Sequence, residues 1–275
     1  MKSLYWYNEV KNFGDALNPE ILKYIFNIHC QWAPPSKCDI CAIGSILDLF
    51  FTDQLTISQR VKRIVGAPVL VWGGGFIRPE QDKRYLPIRK MNIRAVRGKL
   101  TRDRIKKYLK LDSCDIALGD PGLLASRLID VHLIDKKYDL GIIPHYVDAD
   151  NANLKNINVK NSIVIDVRAP LETVLVQIAQ CKAILSSAMH GLIAADSFGV
   201  PNMRMVLSDK IIGGDYKFDD YYSAFDIKTP EKLILTSDVR VNSTDFIFDN
   251  YAITPHMVND TCNNLLTSFL LKGEK

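Results

Sequence analysis

No stretch of this 275-residue sequence is long and apolar enough to span a bilayer. The longest apolar run, Ile64 to Ile77, is shorter than the ~20 residues a spanning helix needs and is broken by Pro68 and Gly73–Gly75. The opening residues MKSLYWYNEVKNFGD lack the continuous apolar core of a secretory signal, so a cytoplasmic location is expected. Charge of one sign is scarce: 35 Lys and Arg stand against 31 Asp and Glu. A net charge of +4 gives no reason to expect nucleic acid as a partner. The six cysteines, Cys30, Cys38, Cys41, Cys114, Cys181 and Cys262, are scattered, which favours reduced thiols. Cys38-x-x-Cys41 is half of a zinc site, but no second pair follows at a suitable spacing, so these are expected to be buried structural thiols. There is no G-x-G-x-x-G and no carboxylate cluster, so neither a dinucleotide nor a metal is expected, and no cofactor.

What is present is a series of short apolar runs, each ending in polar or glycine-rich residues. Leu4–Tyr7, Asp39–Ile46, Pro68–Trp72, Ile93–Gly98 and Ile116–Leu118 read as strands, with helices after the first and after Gly98. Pro19 is expected in the first turn of the first helix. A second series follows at Leu140–Tyr146, Ser162–Val167, Ala183–Leu185 and Pro201–Val206, with helices over Leu171–Gln180 and after His190. Alternation of this kind predicts parallel sheets covered by helices. The length suits two domains of about 100–150 residues. Their expected bounds are 1–129 and 139–253, with a last helix over about 254–272 packing back on the first.

In open α/β sheets, ligands bind beyond the carboxyl ends of the strands, where helix N-termini favour anions. Ser186–Pro201, SSAMHGLIAADSFGVP, is such a strand–turn–helix junction, and His190 stands in it with Gly191 behind. A histidine there either caps and packs or does acid–base work. Asn12–Asn18 forms a similar junction carrying Gly14, Asp15 and Asn18, and Gly73–Gly75 lets a backbone or ligand approach closely. Arg94, Arg97 and Arg168 fall at strand ends, where a carboxylate or phosphate partner is expected, and Arg204 is a weaker candidate. Between Arg89 and Lys107 there are nine basic residues and one acid, Asp103; most of these belong to a solvated helix, which also offers a face to an anionic membrane surface.

These pieces together resemble the polysaccharide pyruvyl transferase family. The matching stretches are Asn12-Phe13-Gly14-Asp15 with Asn18, Gly73–Gly75, Val96-Arg97-Gly98, Gly119-Asp120-Pro121, Gly141–Tyr146, and Ser186–Gly191 running to Gly199-Val200-Pro201-Asn202. Ala188-Met189 stands where the family more often has a polar residue and leucine. The resemblance implies a glycosyltransferase-B-like fold of two Rossmann-like domains, with the active site in the cleft between them. It implies transfer of the pyruvyl group of phosphoenolpyruvate to a sugar, as a ketal, with release of phosphate. The sugar would belong to a precursor of a bacterial capsule, exopolysaccharide or cell-wall polymer, carried on a nucleotide or a lipid diphosphate. On this reading His190 is the catalytic acid or base, and Asp15 and Asp120 orient or deprotonate sugar hydroxyls. Arg94, Arg97 and Arg168 bind the donor, and His145 meets an acceptor diphosphate. Gly14, Asn18, Gly74, Gly75, Ser186, Ser187 and Gly191 complete the substrate contacts. The same residues also fit a nucleotide-sugar glycosyltransferase of that fold, or a glycan-binding partner without catalysis.

Overall fold

The computed structural model describes residues 1–81, 85–111 and 115–270. Cys114 and the end of the helix expected to residue 272 lie outside them. In chain order the elements are β1 (Lys2–Tyr5), α1 (Phe13–Phe26), β2 (Cys30–Trp32), β3 (Ile40–Cys41), β4 (Phe51–Thr52), α2 (Ile57–Val65), β5 (Val69–Trp72), β6 (Leu86–Pro87), β7 (Met91–Val96), α3 (Lys99–Leu109) and β8 (Ala117–Leu118). They continue with β9 (Tyr138–Ile143), β10 (Ser162–Val164), α4 (Leu171–Ala179), β11 (Cys181–Ser186), α5 (Met189–Ser197), β12 (Asn202–Val206), α6 (Tyr216–Ser223), β13 (Lys232–Ile234), α7 (Asp245–Asn250) and α8 (Pro255–Leu270).

The strands form two parallel sheets, in the orders β2-β1-β3-β5-β7-β8 and β10-β9-β11-β12-β13, while β4 and β6 make a small antiparallel pair. The molecule is thus a mixed α/β protein built on parallel sheets, as the alternation predicts. One apolar layer lies between the sheets. Leu4 and Trp72 of the first sheet and Ile184 of the second join it with Phe13 and Leu17 of α1, Leu175 of α4, Ile193 of α5 and Leu265 of α8. Separate clusters cover the far faces, around Phe50, Val71 and Phe76 on the first sheet and around Leu185, Met205 and Ile247 on the second. Helix α8 lies on the first sheet, where Trp72 Nε1 donates to Leu265 O at 2.9 Å.

Helix α1 corrects one expectation. Asn12 caps it, accepting Gly14 N–H at 3.0 Å, so the helix starts at Phe13 and Pro19 lies inside it rather than in its first turn. Proline has no N–H for the carbonyl one turn back, that of Asp15. Asn18 Nδ2 donates to that carbonyl at 3.2 Å, so the carbonyl keeps a hydrogen-bond partner.

The strand expected over Asp39–Ile46 is only two residues long, because the chain turns at Gly44, whose φ of +116° suits glycine. Helices α2 and α6 and strand β13 were not legible as such in the sequence. Helix α2 buries none of its residues, and α6 is a run of tyrosine, lysine and aspartate without a simple apolar period. Cys38 and Cys41 are buried in the cluster around Phe50, where burial raises both thiols and takes Cys38 to about 12.

Candidate active site

Both sheets point the carboxyl ends of their strands at one cavity of about 360 Å³. Tyr7, Asn12 and Asp15 reach it from the junction after β1, and Gly44, Ser45 and Asp48 from that after β3. His145 and Tyr146 come from the end of β9, Ala188, Met189 and His190 from the start of α5, and Lys210 and Lys217 from beyond β12. The amino-terminal turn of α5 therefore opens onto the cavity, with the partial positive charge of its N–H groups.

His190 is held from two sides. A Cβ at Gly14 would collide with its Nδ1, so only glycine lets α1 approach the ring this closely. On the other side, Nε2 lies 3.9 Å from Asp120 Oδ2. Asp120 is fully buried, and its Oδ1 accepts Gly122 N–H at 2.9 Å. Burial, and then the cations Arg97 and Lys217, push His190 down to about 3, so it is neutral at ordinary pH. Burial pushes Asp120 up to about 6, against the opposing pull of Gly122 N–H and Arg97. Asp15 touches the cavity but is otherwise walled in by protein, and burial raises it to about 7.

The serines and glycines of the α5 junction build it. Ser186 Oγ accepts Ala188 N–H at 3.1 Å and donates to the Ile143 or Ala188 carbonyl. Ser187 Oγ accepts His145 N–H at 2.8 Å, which fixes His145 at the end of β9. A Cβ at Gly191 would meet Ser186 Oγ. Val147 N–H points at His145 Nδ1 across 3.4 Å, which leaves Nε2 as the donor. Burial and Lys217 together lower His145 to about 4.

Of the residues singled out from the sequence, Asp15, His145 and His190 line the cavity, and Gly14, Asp120, Ser186, Ser187 and Gly191 stand directly behind them. The remainder are engaged by the protein itself. Asn18 ties α1 to the residues after β3, donating to Ile43 O at 3.1 Å and accepting Ile43 N–H at 2.8 Å. Gly74 packs on the Ala42 carbonyl and Gly75 on the Arg97 guanidinium.

The arginines do not form the cavity wall. Arg97 is fully buried: Nε donates to Asp220 Oδ2 at 2.9 Å, while the two terminal nitrogens donate to Ser45 Oγ and Phe76 O, each at 2.6 Å. The carboxylate partner foreseen for it is thus supplied from within, by α6. Arg94 Nε donates to Asn92 Oδ1 at 3.1 Å on β7, and Arg168 pairs with Asp166 at 3.0 Å on the surface. Arg204 pairs with Asp215 at 2.8 Å.

Two lysines overlooked in the sequence reach the cavity, the exposed Lys210 and the buried Lys217; Lys217 is the one enclosed by protein. It is 7 % exposed. It forms no ion pair or hydrogen bond among the described residues and lies 5.4 Å from the Phe218 ring. Burial, then Arg97 and Arg204, lower it to about 8. The only signal for it was a lysine within an aromatic, acidic run.

A 153-residue segment is 39% identical to "Uncharacterized protein L143" of Acanthamoeba polyphaga mimivirus, covering 54% of this chain and 52% of that protein. Over 222 residues the chain is 25% identical to "Succinoglycan biosynthesis protein ExoV" of Rhizobium meliloti (strain 1021), covering 80% of this chain and 64% of that protein. The chain therefore spans about half to two thirds of the length of these relatives. Residues 2–208, which carry all the lining of the cavity except Lys210, Ile212 and Lys217, match the family model described as polysaccharide pyruvyl transferase, and the chain belongs to that family.

Proposed function

We propose that the cavity between the two sheets is the site at which the pyruvyl group of phosphoenolpyruvate is transferred to two hydroxyls of a sugar, with release of phosphate, and that the whole is a glycosyltransferase-B-like arrangement. The observation that carries this reading is the pairing of opposite proton-transfer states in one cavity. His190 is held neutral at about 3 and becomes a base only as the anionic donor enters beside it and Asp120, 3.9 Å away, draws closer, while Asp15, raised to about 7, is about half protonated at neutral pH and able to give a proton.

Asp15 protonates the methylene carbon of the donor, and the adjoining carbon becomes electrophilic. A first sugar hydroxyl attacks that carbon and loses its proton to His190, whose imidazolium is stabilised by Asp120. The second hydroxyl then displaces phosphate from the same carbon and its proton leaves with the phosphate. The protons balance: Asp15 gives one to carbon, His190 takes one from the first hydroxyl and phosphate carries off the second, and transfer from His190 through solvent to Asp15 resets both groups. Lys217 and the first N–H groups of α5 receive the anionic end of the donor. His145, a neutral donor on the same wall, faces the acceptor.

The relative named for succinoglycan biosynthesis supports a polysaccharide precursor as acceptor. Incubation with phosphoenolpyruvate and a panel of nucleotide- and lipid-diphosphate-linked sugars, read by mass spectrometry, tests the reading. The expected product carries one pyruvate ketal and forms with stoichiometric phosphate. Turnover of a sugar nucleotide without phosphoenolpyruvate would instead assign a glycosyltransferase, and no turnover with any donor would favour a binding role.

A further inference from the structure

Helix α2 is amphipathic in the opposite sense to the rest of the fold. Its apolar residues face solvent: Ile57 is 84%, Val61 52%, Ile64 71% and Val65 76% exposed. The half-buried positions are the polar ones, Gln59, Lys62 and Arg63, and Lys62 Nζ donates to Ser36 O at 3.4 Å. At 100° per residue the four apolar side chains fall on one stripe, bordered by Arg60 on one side and by Ser58 and then Lys62 on the other.

The helix does not depend on burial to form. Thr56 Oγ1 accepts Gln59 N–H at 3.2 Å and Gln59 Oε1 accepts Thr56 N–H at 2.9 Å, a closed capping box. A well-capped helix that presents a contiguous apolar stripe outward marks a contact surface. Its charge selects the partner. Arg60, Lys62 and Arg63 lie on the helix, and no aspartate or glutamate occurs from Gln54 to Pro79.

Much of the basic run from Arg89 to Lys107, by contrast, is engaged by other residues of the protein. Arg89 donates to Cys38 O and Ala67 O, Arg104 lies over the Phe76 ring and pairs with Asp48, Lys107 pairs with Glu80 and Lys99 with Asp226. Among the described residues no helix is long and apolar enough to cross a membrane.

We infer that α2 is an interfacial helix that docks the protein on an anionic lipid surface, its stripe of Ile57, Val61, Ile64 and Val65 lying among the acyl chains and the flanking Arg60 and Lys62 meeting the lipid phosphates. An apolar stripe on the outer side with cations toward the protein body is the orientation in which a helix lies in the plane of a bilayer beneath a folded domain. Four side chains and two flanking cations make a weak, reversible and salt-sensitive contact. The inference goes beyond the proposed reaction and is independent of it, since none of these residues lines the cavity.

Flotation of the full chain with vesicles tests it, comparing phosphatidylcholine mixed with phosphatidylglycerol against phosphatidylcholine alone. The protein is expected to float with the anionic vesicles at low salt, to be released at high salt, and to ignore the neutral ones. The double variant Val61→Ser/Ile64→Ser should lower partitioning by about tenfold or more. It should leave the thermal midpoint and the far-ultraviolet spectrum unchanged, because both side chains are already exposed. An Ile64→Trp variant should show a blue-shifted emission that lipid-borne quenchers reduce. The inference is overturned if the protein does not float with anionic vesicles, or if the double variant floats equally well. It is also overturned if sedimentation shows that the stripe joins two copies of the chain, the double variant being monomeric where the parent is dimeric and neither binding vesicles.

Discussion

His190 Nε2 stands 3.9 Å from Asp120 Oδ2, and among the described residues neither atom has a hydrogen-bond partner. Two unsatisfied buried polar atoms aimed at each other are unfavourable for folding alone and useful for moving a proton. The gap is slightly longer than a hydrogen bond and would close when His190 becomes charged. Asp120→Asn keeps the volume and removes the charge that would stabilise the imidazolium. We expect kcat to fall on the order of 10²–10⁴-fold with little change in the donor KM, measured by phosphate release. His190→Ala should lose turnover altogether, and pyruvylation by that variant would refute its role.

Gly14→Ala should displace the His190 ring without unfolding the chain, because the added methyl would occupy the space of Nδ1. We expect the activity of the histidine variant at near-parental stability. A fully active Gly14→Ala protein would mean that His190 is not fixed by α1.

In the proposed reaction, Asp15 would make activity and stability depend on pH in the same window. Its carboxyl is raised to about 7 in the folded chain, so the folded state binds the proton more tightly than the unfolded state does. Its contribution to stability is therefore full below the ordinary carboxylate range and is lost as pH rises toward 7. Activity that needs the protonated form should decline as pH passes 7. Asp15→Asn is expected to leave low activity without that alkaline decline. It should also melt higher than the parent at pH 8, read by calorimetry.

Lys217→Met should raise the KM for phosphoenolpyruvate at least ~tenfold, since it removes a buried cation with no internal partner. Lys217→Arg should recover part of that loss. Removing the charge also lifts one of the influences that lower His145 and His190, so the pH at which His145 titrates, followed by NMR, should move up.

Arg97→Met should destabilise rather than merely inactivate. It strands Asp220 at 0% exposure with only the Thr101 N–H and hydroxyl for company, and breaking a buried pair from one side costs about 3–5 kcal/mol. Denaturant unfolding measures this. An Arg97→Met chain as stable as the parent, with donor binding lost, would instead place the guanidinium on the substrate.

The alternation of strands and helices and the junctions around the site were legible because both are local properties. Apolar runs ending in glycine and polar residues mark parallel strands and the turns after them, and His190, Asp15 and His145 follow such runs directly. Helix α2 escaped because its stripe meets solvent and its sequence merges into the apolar run that leads to β5. Helix α6 escaped because its buried face is made of Lys217, Asp220 and tyrosines, which no hydrophobic period reveals.

What the sequence by itself determined, then, is a parallel α/β chain with a histidine and an aspartate at strand ends, since each depends on neighbours a few residues away. Tertiary structure alone decided how the charges are shared. Arg97 meets Asp220 across 123 positions of chain, and that pairing closes the arginine off from the cavity. Lys217, three residues before Asp220 on the same helix, is left inside the cavity without a carboxylate. Charge pairing between segments so far apart depends on which surfaces the packed core brings together, and no local pattern of residues specifies that.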